Sequence, residues 1–188
     1  MRITFLGDSL TFRNDWNRAL PDHDVVNLGI DGDTTAGVLA RVDSAIATRP
    51  DCLVLMIGIN DLIGWDAWEG DGLARDIAFE ERLLATQAEI RAHIARALPE
   101  CRIIVCSLLP TAFLWEDSDL ANEIVRSFND RLRSAAATEG HVFLDLHGAM
   151  ADDRGRLARP YNQDGVHLLP AAYALWLERL LPLLPSIR

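Results

Sequence analysis

The chain carries little that would staple it, anchor it in a membrane or bind it to a polyanion. Cysteine is scarce: Cys52, Cys101 and Cys106 are the three in 188 residues, each in or beside an apolar strand-like segment, with no CxxC pair. That makes a disulfide scaffold unexpected and suits buried thiols in a reducing compartment. No charge-free apolar run reaches about 18 residues, so no membrane span is expected. Basic residues are outnumbered, 18 Lys plus Arg against 28 Asp plus Glu, for a net charge of −10. With no basic stripe, nucleic acid is not an expected partner. The acidity favours solubility and names no substrate. The five histidines are scattered, without HExxH or similar spacing, so neither a structural zinc nor another metal is expected. A GxxxxGK phosphate loop is missing, and the first loop lacks GxGxxG, so no cofactor is expected either.

What is present is an ordinary globular composition, 49% hydrophobic and 24% charged. The length suits one domain over residues 1–188 with a full apolar core. Short apolar runs alternate with longer amphipathic ones. The strand candidates are Arg2–Leu6, Val25–Leu28, Cys52–Ile57, Arg102–Leu108 and Val142–Leu146. Leu53–Ile57 and Ile103–Cys106 are apolar in succession, the pattern of parallel strands covered on both faces. Helices are expected over Thr35–Ala47, Ile77–Leu98, Asp119–Ala137 and Pro170–Leu181, each long enough for a crossover. This rhythm predicts an α/β fold: a three-layer α/β/α sandwich on a parallel five-stranded sheet, flavodoxin-like. Rhythm does not set strand order; 2-1-3-4-5 is the order expected. Three longer connections, Gly58–Arg75, Pro110–Ser118 and His147–Gln163, follow strand C-termini, where open α/β sheets bind ligands.

The chemistry begins at Gly7-Asp8-Ser9-Leu10, at the end of the first apolar run. A serine on such a turn can present its hydroxyl at the sheet's C-terminal edge. An alcohol is a poor nucleophile at neutral pH and needs a base; the base needs a carboxylate to fix its tautomer. His167 is the candidate base. Asp164, three residues earlier, can reach Nδ1 from within one turn and leave Nε2 for Ser9. Ser, then Asp, then His is also the chain order of other α/β hydrolases.

Four segments occur in order: Phe5–Leu10, Asn27–Thr35, Gly58–Asp61 and Asp164–His167. Together they resemble the SGNH hydrolases, the GDSL-type esterase and lipase family, across nearly the whole chain. The resemblance implies hydrolysis of carboxylic esters through an acyl-enzyme. It also implies an oxyanion hole formed by the backbone N–H of Ser9, the backbone N–H of Gly32 and the side-chain amide of Asn60. Gly32 suits that role because glycine lets the backbone approach a substrate closely. Loss of one such donor typically costs roughly 3–4 kcal/mol of transition-state stabilisation.

Simpler roles compete at several positions. Ser9 and Asp164 could be helix or turn caps, Gly32 a turn glycine and Asn60 a loop brace. Asp8 reads as structural. Asp31, Asp33 and Asp61 read as braces or caps, Thr34 and Thr35 as helix caps, and Asn27 and Asn162 as loop hydrogen bonders. Trp65, Trp68, Phe113 and Trp115, in post-strand loops, suggest an apolar or sugar-stacking rim, or else the cover of a core edge or subunit contact.

The expected function is a serine esterase with a Ser9-His167-Asp164 triad acting on a small-molecule ester, with short acyl or acetyl groups preferred. A thioesterase or lysophospholipase for longer chains is the competing enzyme. A non-catalytic binding module or a flavodoxin-like electron carrier would leave Asp164 and His167 unexplained. Because Ser9 arrives before a secretory signal could end, a cytoplasmic location is expected unless a leader has been removed. Nothing in the sequence sets the oligomeric state.

Overall fold

Five short strands, apolar along nearly their whole length, lie side by side in one parallel sheet. The computed structural model describes residues 1–63, 77–112 and 118–185. The strands are β1 (Arg2–Gly7), β2 (Asp24–Gly29), β3 (Cys52–Met56), β4 (Arg102–Cys106) and β5 (Val142–Leu144). Their order is β2-β1-β3-β4-β5, the order expected above. At its C-terminal end, Gly7 of β1 lies opposite Gly29 of β2 on one side and Met56 of β3 on the other.

Helices cover both faces. α1 (Ser9–Phe12) and α2 (Trp16–Ala19) follow β1, and α3 (Thr35–Ala40) and α4 (Val42–Ala47) follow β2. α5 (Ile59–Ile63) and α6 (Ile77–Ala97) follow β3, and α7 (Ser118–Thr138) joins β4 to β5. α8 (His147–Met150) and α9 (Pro170–Leu180) complete the α-helices among the described residues. Successive strand residues point to opposite faces, and β1 shows both. Phe5 stacks on Trp16, which meets Trp176 and Tyr173 of α9 edge-on. Thr4 instead points to Thr48, at the end of α4. On that second face α3 and α4 pack on α6, and α6 packs on α7.

Several boundaries differ from those the sequence suggests, each for a local reason. The expected helix Thr35–Ala47 breaks at Arg41, whose backbone leaves helical geometry as its side chain turns inward. The fourth strand stops at Cys106, because the Asn129 side chain takes both the N–H and the carbonyl of Leu108. The fifth stops at Leu144; the Leu146 and His147 N–H groups are claimed by the Ser107 hydroxyl. The connection after the third strand opens with the one-turn helix α5, entered through Gly58 at φ 126°. The carbonyl of Ile57, just before it, accepts from Gln87, which in turn accepts from the buried Arg91 paired with Glu139.

The three cysteines are unpaired, Cys52 and Cys106 buried and Cys101 partly so. Burial pushes the Cys52 thiol up to about 12 and the Cys101 thiol to about 11, so neither carries thiolate near neutrality. Among the described residues no helix is long and apolar enough to cross a membrane.

Candidate active site

The β1–α1 turn depends on glycine for space. A Cβ on Gly7 would lie 2.2 Å from the Met56 carbonyl oxygen, so only a bare backbone closes the turn. Asp8 then caps α1, its carboxylate accepting from the Leu10 N–H at 2.9 Å. Ser9 opens the helix. Its position at the sheet's C-terminal edge is the expected one, but its hydroxyl does not stand free. Ser9 is 4% exposed, because its Oγ lies against the His167 ring, 3.2 Å from Nε2. The short α1 is held from outside: the Trp16 indole donates to the Thr11 carbonyl and the Tyr173 hydroxyl to that of Leu10. The Asn27 amide donates to Phe12 and its neighbours, which makes it a tie between β2 and the serine's helix.

Asp164 and His167 sit on one tight turn. Asp164 Oδ1 accepts from the N–H groups of Val166 and His167, while Oδ2 meets His167 Nδ1 at 2.7 Å. Capping and ring contact therefore use different oxygens of one carboxylate. Burial raises the Asp164 carboxyl, but the His167 and Val166 hydrogen bonds outweigh it and hold the group below the usual carboxylate range. Gly165, at φ 102°, lets the turn reverse. Its N–H is taken by the Asn162 side chain, and its carbonyl accepts from Thr111 and Ala112, beyond β4.

The loops after β2 and β3 bring Gly32 and Asn60 to the same edge of the sheet. Gly32 has φ 74°, a conformation that favours glycine, and a Cβ there would meet nothing within 4 Å. Backbone conformation, not crowding, is what calls for glycine at this position. The Asn60 amide donates to the Asp33 carbonyl at 2.8 Å, which fixes the side chain and leaves its second N–H for another acceptor. Asp61 braces the second loop, accepting from the N–H and hydroxyl of Thr35. Thr34 caps α3 through Gly37. Asp31 pairs with Arg13 at the surface.

Asp8 is more deeply placed than a turn aspartate suggests. It is fully buried, and its Oδ2 has no hydrogen-bond partner. Burial, with the nearby charges of Asp33 and Asp61, pushes its carboxyl up to about 7. A carboxyl raised in this way binds more protons folded than unfolded between about pH 4 and 7, so its contribution to stability falls as pH rises through that window. Asp8→Asn keeps the cap and removes the titration. Relative to wild type, the variant is expected to gain up to about 4 kcal/mol of stability between pH 4 and pH 8. Denaturant unfolding at both pH values measures this; a difference that does not change with pH contradicts the buried, proton-bearing assignment.

Trp65, Trp68, Phe113 and Trp115, the expected rim, lie outside the described residues. Among the described residues no group of three or more His, Cys, Asp or Glu is placed to hold a metal ion. Sequence reasoning passes over Tyr173, Thr111 and Arg41, all of which contact the loops of this site. A tyrosine on the apolar stripe of the helix after His167 is the clearest signal it had.

A family model for the GDSL-like lipase/acylhydrolase family matches residues 5–175. Among solved structures, a chain from Streptococcus pneumonia, provisionally assigned as a platelet activating factor, is 26% identical with a TM-score of 0.78. That match covers 96% of this chain and 82% of the other. A GDSL-like lipase from Bacteroides thetaiotaomicron is 24% identical, TM-score 0.75, covering 97% and 86%. A catalytic mutant of an acetylxylan esterase from Geobacillus stearothermophilus is 20% identical, TM-score 0.74, covering 96% and 92%. At those identities the second and third likenesses speak to the fold alone. No protein among the curated sequences matches the chain.

Proposed function

The chain belongs to the GDSL-like lipase/acylhydrolase family, and from that premise we propose that it is a serine esterase that cleaves carboxylic esters through an acyl-enzyme. The observation that carries the reading is the contact series from Asp164 Oδ2 to His167 Nδ1 at 2.7 Å and from His167 Nε2 to Ser9 Oγ at 3.2 Å. In this reading Ser9 is the nucleophile. His167 takes its proton as Oγ attacks the ester carbonyl, then returns it to the departing alkoxide. Asp164 holds the ring so that Nε2 faces the serine and stabilises the imidazolium that forms. Water repeats the sequence on the acyl-enzyme and releases the acid, restoring Ser9.

The negative charge that develops on the carbonyl oxygen needs preorganised donors. We assign these to the backbone N–H groups of Ser9 and Gly32 and to the free N–H of Asn60.

For the acyl group we propose a short chain, acetyl first, within a single domain spanning the sequence. A compact chain whose site lies in the loops at one sheet edge favours a small acyl group over a long apolar one. A panel of nitrophenyl esters of rising chain length, with acetylated xylooligosaccharides and an acyl-CoA alongside, tests this. Acetylated sugars enter because an esterase for acetylxylan shares the fold. The expected result is the highest kcat/KM at two to four acyl carbons, falling for longer chains by roughly tenfold or more. A rate that climbs with chain length, or favours the acyl-CoA, assigns the chain to long-chain acyl or thioester substrates.

A further inference from the structure

Arg41 occupies a position no surface arginine needs. It stands at the break between α3 and α4, and its side chain runs inward beneath the loops of the site, 20% exposed. Its donors are spent on three separate segments. Nη1 donates to the Leu28 carbonyl at the end of β2, at 2.9 Å. Nη2 donates to the Gly7 carbonyl at the end of β1, at 3.0 Å. Nε donates to Asp33 Oδ2 at 2.8 Å, and Nη2 approaches the same oxygen at 2.6 Å.

Two of these partners, Gly7 and Asp33, are one short step from an assigned oxyanion donor. The Gly7 carbonyl lies two residues before Ser9. Asp33 directly follows Gly32, and its own carbonyl accepts from the Asn60 amide at 2.8 Å. A planar guanidinium has donors in a fixed fork. Holding two carbonyls and a carboxylate at once therefore sets the ends of β1 and β2 and the loop after β2 against one another, and the loop after β3 joins them through Asn60, which donates to the Asp33 carbonyl. We propose that Arg41 is the positioning residue of this site, the group that holds the backbone N–H groups of Ser9 and Gly32 and the Asn60 amide at the mutual spacing an oxyanion requires. This inference rests on the serine-esterase reading and deepens it. Arg41 touches no reacting atom; it acts through Gly7, Asp33 and Asn60.

A lysine at 41 keeps the charge but has no planar fork to serve three acceptors. A glutamine removes the charge and leaves Asp33 near the carboxyls of Asp8 and Asp61 without its paired cation. Neither change touches the substrate directly. Loss is therefore expected in kcat, with little change in KM, because donor placement matters most when charge has developed.

The experiment uses wild type, Arg41→Gln, Arg41→Lys, Asn60→Ala and the Arg41→Gln/Asn60→Ala pair on nitrophenyl acetate. Rates are normalised to the reactive serine titrated to completion with a fluorophosphonate. Normalisation removes any loss that comes only from misfolded protein. Arg41→Gln is expected to lower kcat per titrated site on the order of 100-fold, with KM within about threefold. In the Asn60→Ala background the same change is expected to cost less than about tenfold, because the donor that Arg41 helps to place is already gone. If Arg41→Gln does not fold, Arg41→Lys carries the test, with an expected loss of at least about tenfold in kcat.

Wild-type kcat per titrated site in the folded Arg41 variants overturns the proposal, as does full multiplication of the two effects in the double variant. Either result leaves the esterase reading intact. A wild type that hydrolyses the ester but takes no probe at Ser9 overturns the esterase reading, and this proposal with it.

Discussion

Ser9→Ala is expected to lower kcat on the order of 10⁶-fold, the scale of losing the nucleophile of a triad that works as a unit. The fold should survive. Ser9 opens a one-turn helix whose N-cap bond comes from Asp8 and whose outer ties come from Trp16 and Tyr173, none of which uses the serine hydroxyl. Removing Oγ leaves only a small void beside the His167 ring. Steady-state turnover of nitrophenyl acetate, with circular dichroism and thermal unfolding on the same samples, checks both halves. Substantial turnover by a well-folded Ser9→Ala protein contradicts the nucleophile assignment.

His167→Ala is expected to cost a similar factor, on the order of 10⁴- to 10⁶-fold in kcat, and to add almost nothing to Ser9→Ala in the double variant. Without the imidazole the hydroxyl at 3.2 Å has no base. Asp164 keeps its charge beside that ring: its hydrogen bonds to His167 and Val166 outweigh the upward push of burial and hold it below the usual carboxylate range. A double variant far slower than either single one contradicts the shared role.

The parts of this molecule that were legible in the sequence are those set by short-range pattern. Uninterrupted apolar runs such as Leu53–Ile57 can be buried only by cover on both sides, and that requirement gives the parallel sheet with helices on each face. The three-residue spacing of Asp164 and His167 allows a side-chain contact within one turn, and the structure contains it. What the sequence could not show is what tertiary closure decides. Arg41 lies in a segment that reads as one amphipathic helix; only the folded sheet brings the carbonyls of Leu28 and Gly7 within its reach. Asp8 reads as a structural turn residue, with nothing in the sequence to set its depth, and the packing around β1 buries it completely. The strands β4 and β5 end short because Asn129 and Ser107 supply hydrogen bonds that a pattern of hydrophobicity does not record.

The central claim is that Ser9 is a covalent nucleophile, and adduct mapping tests it most directly. Wild-type protein is treated with a fluorophosphonate, its intact mass measured, and its peptides sequenced by mass spectrometry. The expected result is one adduct per chain, on the peptide carrying Gly7-Asp8-Ser9, and none on Ser9→Ala. A folded, ester-hydrolysing wild type that gains no adduct, or gains it on another residue, contradicts the account.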